Sequence, residues 1–137
     1  MKTILFACTE NKKRSIMAEA IFNHLAKESD LSARATSAGT IPAEEADPQV
    51  VDILSKHHIE YTKHKPQKLT NEMLEEVDHI VSFGCLIPDM FPKSKFEEWL
   101  VEDPQTLEEY EGVFHIIQQH VVALLERLSK KSNSLSE

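Results

Sequence analysis

Short apolar runs alternate with amphipathic stretches along this chain. Thr3–Ala7 (TILFA) is apolar and β-branched at its start, and reads as a buried strand. From Ser15 to Glu28 the period lengthens. Met17, Ala20, Ile21, His24 and Leu25 then fall on one helical face. Ala33–Gly39 predicts a second, weaker strand. Asp47-Pro48 predicts a helix start, with Asp at the N-cap and Pro at the first helical position, and Val50, Val51, Ile53 and Leu54 as its apolar face.

Thr70 predicts the cap of a third helix containing Met73 and Leu74. His79–Phe83 and Phe96–Val101 predict two further strands. Thr106 and Glu109 have the spacing of a capping box. The helix after it carries Tyr110, Val113, Phe114, Ile117, Val121, Leu124, Leu125 and Leu128 in a helical stripe. Ser129–Glu137 reads as a polar, fraying tail.

Strand and helix in alternation imply an α/β fold with three α/β/α layers and a central four-stranded parallel sheet. The chain has 137 residues and no repeat or linker, so 1–137 reads as one domain. Ligands of such folds bind at the carboxyl ends of the strands. The segments to read for chemistry are therefore Cys8–Arg14, Ser37–Thr40, Gly84–Asp89 and Asp103.

Charge narrows the partners. The formal net charge of −8 argues against a nucleic-acid surface, so an anion site must be a local cluster of donors. No segment has membrane-spanning length. The first apolar run is too short for a secretory signal, and the two cysteines are far apart, which points to a reducing, cytoplasmic setting. The chain reads as a monomer.

The stretch Cys8-Thr9-Glu10-Asn11-Lys12-Lys13-Arg14-Ser15 joins the first strand to the first helix. So tight a loop aims backbone N–H groups at one point, where they bind an anion together with the helix end. Donors focused on a sulfur also lower a thiol's pKa. Arg14 adds a fork suited to a tetrahedral oxyanion, and Ser15 can donate to a thiolate. The loop lacks both glycine and a Gly-Lys-Ser/Thr ending, so it is no nucleotide-binding P-loop. Its chemistry would be attack by Cys8 on a bound oxyanion, set against the plainer reading of Cys8 as a small apolar residue that ends a buried strand.

This loop, followed by Met17-Ala18-Glu19-Ala20, resembles the phosphate loop of the low-molecular-weight protein tyrosine phosphatases, whose superfamily includes thioredoxin-coupled arsenate reductases. Ser37-Ala38-Gly39-Thr40, Asp47-Pro48, His64-Lys65, Leu69-Thr70 and Asp103-Pro104 extend the likeness over nearly the whole chain. The resemblance implies Cys8 as nucleophile, Arg14 as oxyanion clamp and Asp103 as the acid that protonates a leaving oxygen. The backbone from Thr9 to Lys13 would bind the oxyanion. Asn11, Ser37 and His64 would form a network that holds the loop in shape. No bound cofactor and no metal are implied. The six histidines His24, His57, His58, His79, His115 and His120 read as surface or packing residues.

Two features depart from the family pattern. Lys13 stands where the family often has a second cysteine, and Glu10 stands where it has glycine. Glu10 is therefore expected to point outward, and to carry strain if the position has positive φ. The resemblance also places a resolving cysteine near Cys85, but the third cysteine of the reductase relay is absent.

Three readings stand at this point. One is a thiol-dependent arsenate reductase in which Cys85 resolves the Cys8 adduct and thioredoxin or a small thiol supplies electrons. Another is a phosphatase using Cys8, Arg14 and Asp103. The last is an oxyanion-binding or phospho-carrier module. The acidic Ile41-Pro42-Ala43-Glu44-Glu45 segment, with no aromatic residue, and Gln105 after Asp103-Pro104 lean toward the first.

Overall fold

The computed structural model describes residues 1–61, 65–86 and 88–135. Four parallel strands form one sheet in the order β2-β1-β3-β4, where β1 is Lys2–Cys8, β2 Ala33–Gly39, β3 His79–Ser82 and β4 Phe96–Glu98. The helices are α1 (Arg14–Glu28), α2 (Pro48–Lys56), α3 (Asn71–Glu76) and α4 (Leu107–Leu135). This is the α/β architecture that the alternating pattern implies.

Side-chain alternation on β1 builds two cores. Ile4, Phe6 and Cys8 face α1, α2 and α4, where they meet Met17, Ile21, Leu54, Phe114 and Ile117. Leu5 and Ala7 face the opposite way, onto Leu74 of α3, Val77 and Phe91. The period of two thus puts the Cys8 thiol on the face from which α1 departs. All five residues from Ile4 to Cys8 are buried, as expected of a strand covered on both faces.

The predicted caps form. Asp47 accepts from the Gln49 amide at the start of α2, and Thr70 accepts from Met73 at the start of α3. Thr106 accepts from the Glu109 amide, but Glu109 returns to the amide of Gln105 rather than Thr106.

Three boundaries differ from the pattern. β3 ends at Ser82, because Gly84 takes a φ of 83° and turns the chain. Cys85 therefore sits in that turn and not at the strand end. β4 ends at Glu98, where the Trp99 amide still reaches the Ser82 carbonyl. Finally, α4 continues through Ser129 to Leu135, since no glycine or proline in that segment stops it.

Candidate active site

The loop from Cys8 to Lys13 is shaped by the segment that follows β2. The carbonyl of Cys8 accepts from Thr40 N, that of Thr9 from Ile41 N, that of Glu10 from Ala43 N, and that of Lys12 from Asp47 N, at 2.8–3.2 Å. With those carbonyls turned outward, the loop's N–H groups are left to face inward. Gly39 allows this close approach. A Cβ there would lie 2.6 Å from the Thr9 carbonyl oxygen and 2.8 Å from the Asn11 nitrogen.

The Cys8 sulfur lies at the focus. It is 5% exposed, and the Asn11 amide donates to it from 3.0 Å. Ser15 Oγ is 2.9 Å away. Asn11 Nδ2 donates to that same Oγ, which leaves the hydroxyl held in place and able to donate to a Cys8 thiolate. Asn11 Oδ1 in turn accepts from the Gln67 amide. Asn11 is wholly buried with φ of 51°, a left-handed conformation that asparagine tolerates better than most residues. The left-handed backbone thus falls on Asn11, and Glu10 is spared the strain considered for it. Glu10 stands exposed at the rim, as expected.

Burial pushes the Cys8 thiol up from its ordinary pKa. The Ser15 hydroxyl pulls it down, as do the amides of Asn11 and Lys12, while the neighbouring Cys85 pushes it up further. The net direction is upward. The donor focus read from the loop is present, but desolvation of the sulfur outweighs it.

Arg14 enters from the first turn of α1. Its Nη1 donates to the carbonyls of Phe83 and Val101, at the carboxyl ends of the third and fourth strands. Nη2 carries no protein hydrogen bond among the described residues, and the guanidinium lines the pocket. Asp103 lies opposite, with Oδ1 3.8 Å from Arg14 Nε. Its other oxygen is 3.4 Å from Lys13 Nζ and accepts from Gln105 Nε2 at 3.0 Å. Lys13 also donates to the Pro104 carbonyl, and its ammonium sits 5.5 Å from the Tyr110 ring centroid and 4.0 Å from Asp47. The residue that replaces a family cysteine therefore ties the Asp103 segment to the loop.

Together these groups enclose a cavity of about 340 Å³ lined by Cys8, Thr9, Glu10, Lys12, Lys13, Arg14 and Asp103. Among the described residues, no aromatic ring lines it. Cys85 is partly exposed and packs against the core cluster that contains Cys8. Its carbonyl accepts from Thr9 Oγ1 at 3.5 Å, and both cysteines are free thiols.

The predicted support network is only partly as expected. Ser37 is buried, but its hydroxyl donates to Glu19 Oε1 at 2.9 Å rather than to Asn11. Burial pushes the Glu19 carboxyl up to about 7. Gln67 makes the missing connection. Its amide reaches Asn11, and its side chain reaches the Ser37 carbonyl at 2.8 Å. His64 lies outside the described residues. Sequence reasoning missed both Gln67 and Glu19. Glu19 offered a signal, being a carboxylate on the otherwise apolar face of α1.

A cysteine at the carboxyl end of a central strand, met by loop amides, with an arginine fork and a facing carboxylate, is the arrangement of a cysteine-dependent oxyanion enzyme. Residues 3–87, more than half of the chain, match the family of the low molecular weight phosphotyrosine protein phosphatases, and the chain belongs to it. It is 25% identical over 142 residues to a probable low molecular weight protein-tyrosine-phosphatase, EpsP, of Ralstonia solanacearum, covering 93% of this chain and 97% of that protein. It is 26% identical over 135 residues to the glutaredoxin arsenate reductase of Synechocystis, covering 94% of this chain and all of that protein. Among solved structures, the thioredoxin-dependent arsenate reductase of Corynebacterium glutamicum superposes with a TM-score of 0.79 at 25% identity. The match covers 96% of this chain and 63% of that one. The relatives are enzymes of both branches.

Among the described residues, no helix is long and apolar enough to cross a membrane.

Proposed function

We propose that the protein is a thiol-dependent arsenate reductase. The observation that carries this reading is the position of Cys85. It is a second, partly exposed thiol whose carbonyl meets Thr9 and whose charge is felt by Cys8. Hydrolysis of a phosphate ester needs no second thiol, whereas reduction of arsenate needs a group to resolve the Cys8 adduct. The small pocket, with no aromatic wall among the described residues, fits a free oxyanion better than an aryl ester.

Arsenate would be held by the loop amides and the Arg14 fork. The Cys8 thiolate, stabilised by Ser15 and the Asn11 and Lys12 amides, attacks arsenic and forms the sulfur–arsenic bond, and one oxygen leaves as water after protonation. The Cys85 thiolate then attacks Cys8 Sγ. The sulfur–arsenic bond breaks with its electron pair on arsenic, which leaves as trivalent arsenite, and a Cys8–Cys85 disulfide forms. An external dithiol such as thioredoxin, or a small thiol, takes up that disulfide and is itself oxidised. Gly84 gives the backbone beside Cys85 the freedom such an approach requires.

The phosphatase reading has its own support in Asp103, which faces the pocket where a leaving oxygen would depart. A paired assay separates the two. Purified protein with arsenate, thioredoxin, thioredoxin reductase and NADPH is expected to consume NADPH, and Cys85→Ser to abolish that consumption. Unchanged turnover in Cys85→Ser would sink the two-cysteine scheme. Aryl phosphate hydrolysis that survives Cys85→Ser but falls in Asp103→Asn, without arsenate-dependent turnover, would establish the phosphatase instead.

A further inference from the structure

Far from the thiol, three side chains converge where the end of α2 meets α4. His57, the C-cap of α2, places Nε2 3.1 Å from Glu111 Oε2. His115, one turn further along α4, places its Nε2 3.7 Å from the same oxygen. The three donor atoms all lie within 4.8 Å of one another. We propose that His57, Glu111 and His115 form a binding site for a divalent transition-metal ion of the zinc type, which staples α2 to α4.

The donor chemistry fits. Two imidazoles and one carboxylate are a nitrogen–oxygen set suited to zinc, nickel or cobalt rather than to calcium or magnesium. The spacing fits too. Donors held at about 2.1 Å in a tetrahedron stand about 3.4 Å apart, and the contacts of 3.1 and 3.7 Å to Glu111 bracket that separation. The remaining gap, between the two imidazoles, is within 4.8 Å, and His115 is exposed, so a change of its rotamer would bring the third donor in.

Two of the donors are already oriented. The His57 ring stacks on Phe114 with centroids 4.0 Å apart and planes 12° from parallel. Glu111 is fixed by its other oxygen, which accepts from Lys56 Nζ at 2.6 Å and leaves Oε2 turned to the imidazoles. That division of one carboxylate between an ammonium and two rings is what a ligand needs if it is to be held from behind. A water would complete the coordination.

The arrangement was half legible in the chain. Glu111 and His115 have the i, i+4 spacing that puts both on one face of a helix, whereas His57 is brought there only by the packing of α2 on α4. The surface or packing role first assigned to these histidines holds for His120, which stacks on Trp99. For His57 it is incomplete.

Zinc chloride titration tests the site by calorimetry and by thermal melting. The protein is full-length and tag-free, and carries Cys8→Ser and Cys85→Ser so that no thiol competes. A single equivalent of zinc is expected to bind and raise the melting temperature. His115→Gln, at an exposed position where the fold does not depend on it, is expected to weaken binding by about tenfold or more and to remove the melting shift. His57→Gln is expected to do the same, with circular dichroism confirming its fold. Absence of binding in the parent protein overturns the site, as does zinc binding that His115→Gln leaves unchanged.

Discussion

Gly39 and Thr9 are so close that a methyl group at residue 39 would lie 2.6 Å from the Thr9 carbonyl oxygen. Backbone, not a flexible side chain, would have to move. Gly39→Ala is therefore expected to push the Thr9–Asn11 segment out of its pose. Oxyanion binding, read by calorimetry with phosphate or arsenate, should weaken by more than about tenfold, and stability should fall by about 1–3 kcal/mol. Gly112 is the control. It lies in α4 with nothing near its Cβ position, so Gly112→Ala should stabilise the protein by about 1 kcal/mol. Equal melting temperatures for the two variants would contradict this account.

The Ser15 hydroxyl lies 2.9 Å from the Cys8 sulfur and accepts from Asn11 Nδ2, which holds it beside the thiol. Ser15→Ala removes a group that pulls the thiol pKa down, so Cys8 should ionise at still higher pH. The pH dependence of alkylation by iodoacetamide, followed on a Cys85→Ser background, should shift upward. A profile that stays in place would show that the hydroxyl does not stabilise the thiolate.

Glu19 is 5% exposed and its carboxyl is pushed up to about 7, against an ordinary value of 4.5. A raised folded-state pKa means that the fold favours the protonated form. That contribution is complete below the unfolded-state value and is lost as pH rises toward and through about 7. The amount at stake is about 3 kcal/mol at most. Glu19→Gln should flatten the stability profile between pH 4.5 and about 7 in urea titrations, and should be the more stable protein at the alkaline end. If the two profiles remain parallel, another group governs this range.

Lys13 holds the Asp103 segment through the Asp103 carboxylate and the Pro104 carbonyl. These contacts are partly exposed, so Lys13→Ala should cost less than about 1 kcal/mol of stability. Its larger effect should be local. Amide hydrogen exchange at Gln105 should accelerate, and oxyanion binding should weaken. Exchange at the wild-type rate would mean that the salt bridge restrains nothing.

The fold was legible because each element announces itself locally. Ala33–Gly39 has its observed bounds in the chain's own pattern, and Asp47-Pro48 and Thr70 cap the helices they predict. Cys8 and Arg14 stood out because a short loop between a strand and a helix has few places to put them, whereas Asp103 was singled out by the resemblance and by its place after the fourth strand. Gln67 could not, because nothing local marks it. Its amide reaches Asn11 only through the parallel bridge between Gly39 and Lys68. The end of β4 was missed for a related reason, since nothing in the composition marks where its ladder stops. The net rise in the thiol's pKa also escaped sequence reasoning. Donors can be counted from a loop, but the depth at which a sulfur is buried belongs to the packing.

The outward carbonyls of the Cys8–Lys12 loop have a consequence for how this chemistry can be moved between proteins. What orients the amides is not the loop's own sequence but the strip from Thr40 to Asp47 that clasps it from behind. The receptor is assembled before any anion arrives, so little reorganisation is charged against binding. It follows that the heritable unit is a pair of segments. The eight residues from Cys8 to Ser15 grafted alone onto another strand and helix would bring the thiol and the arginine, but without residues 40–47 the amides would have no reason to face them.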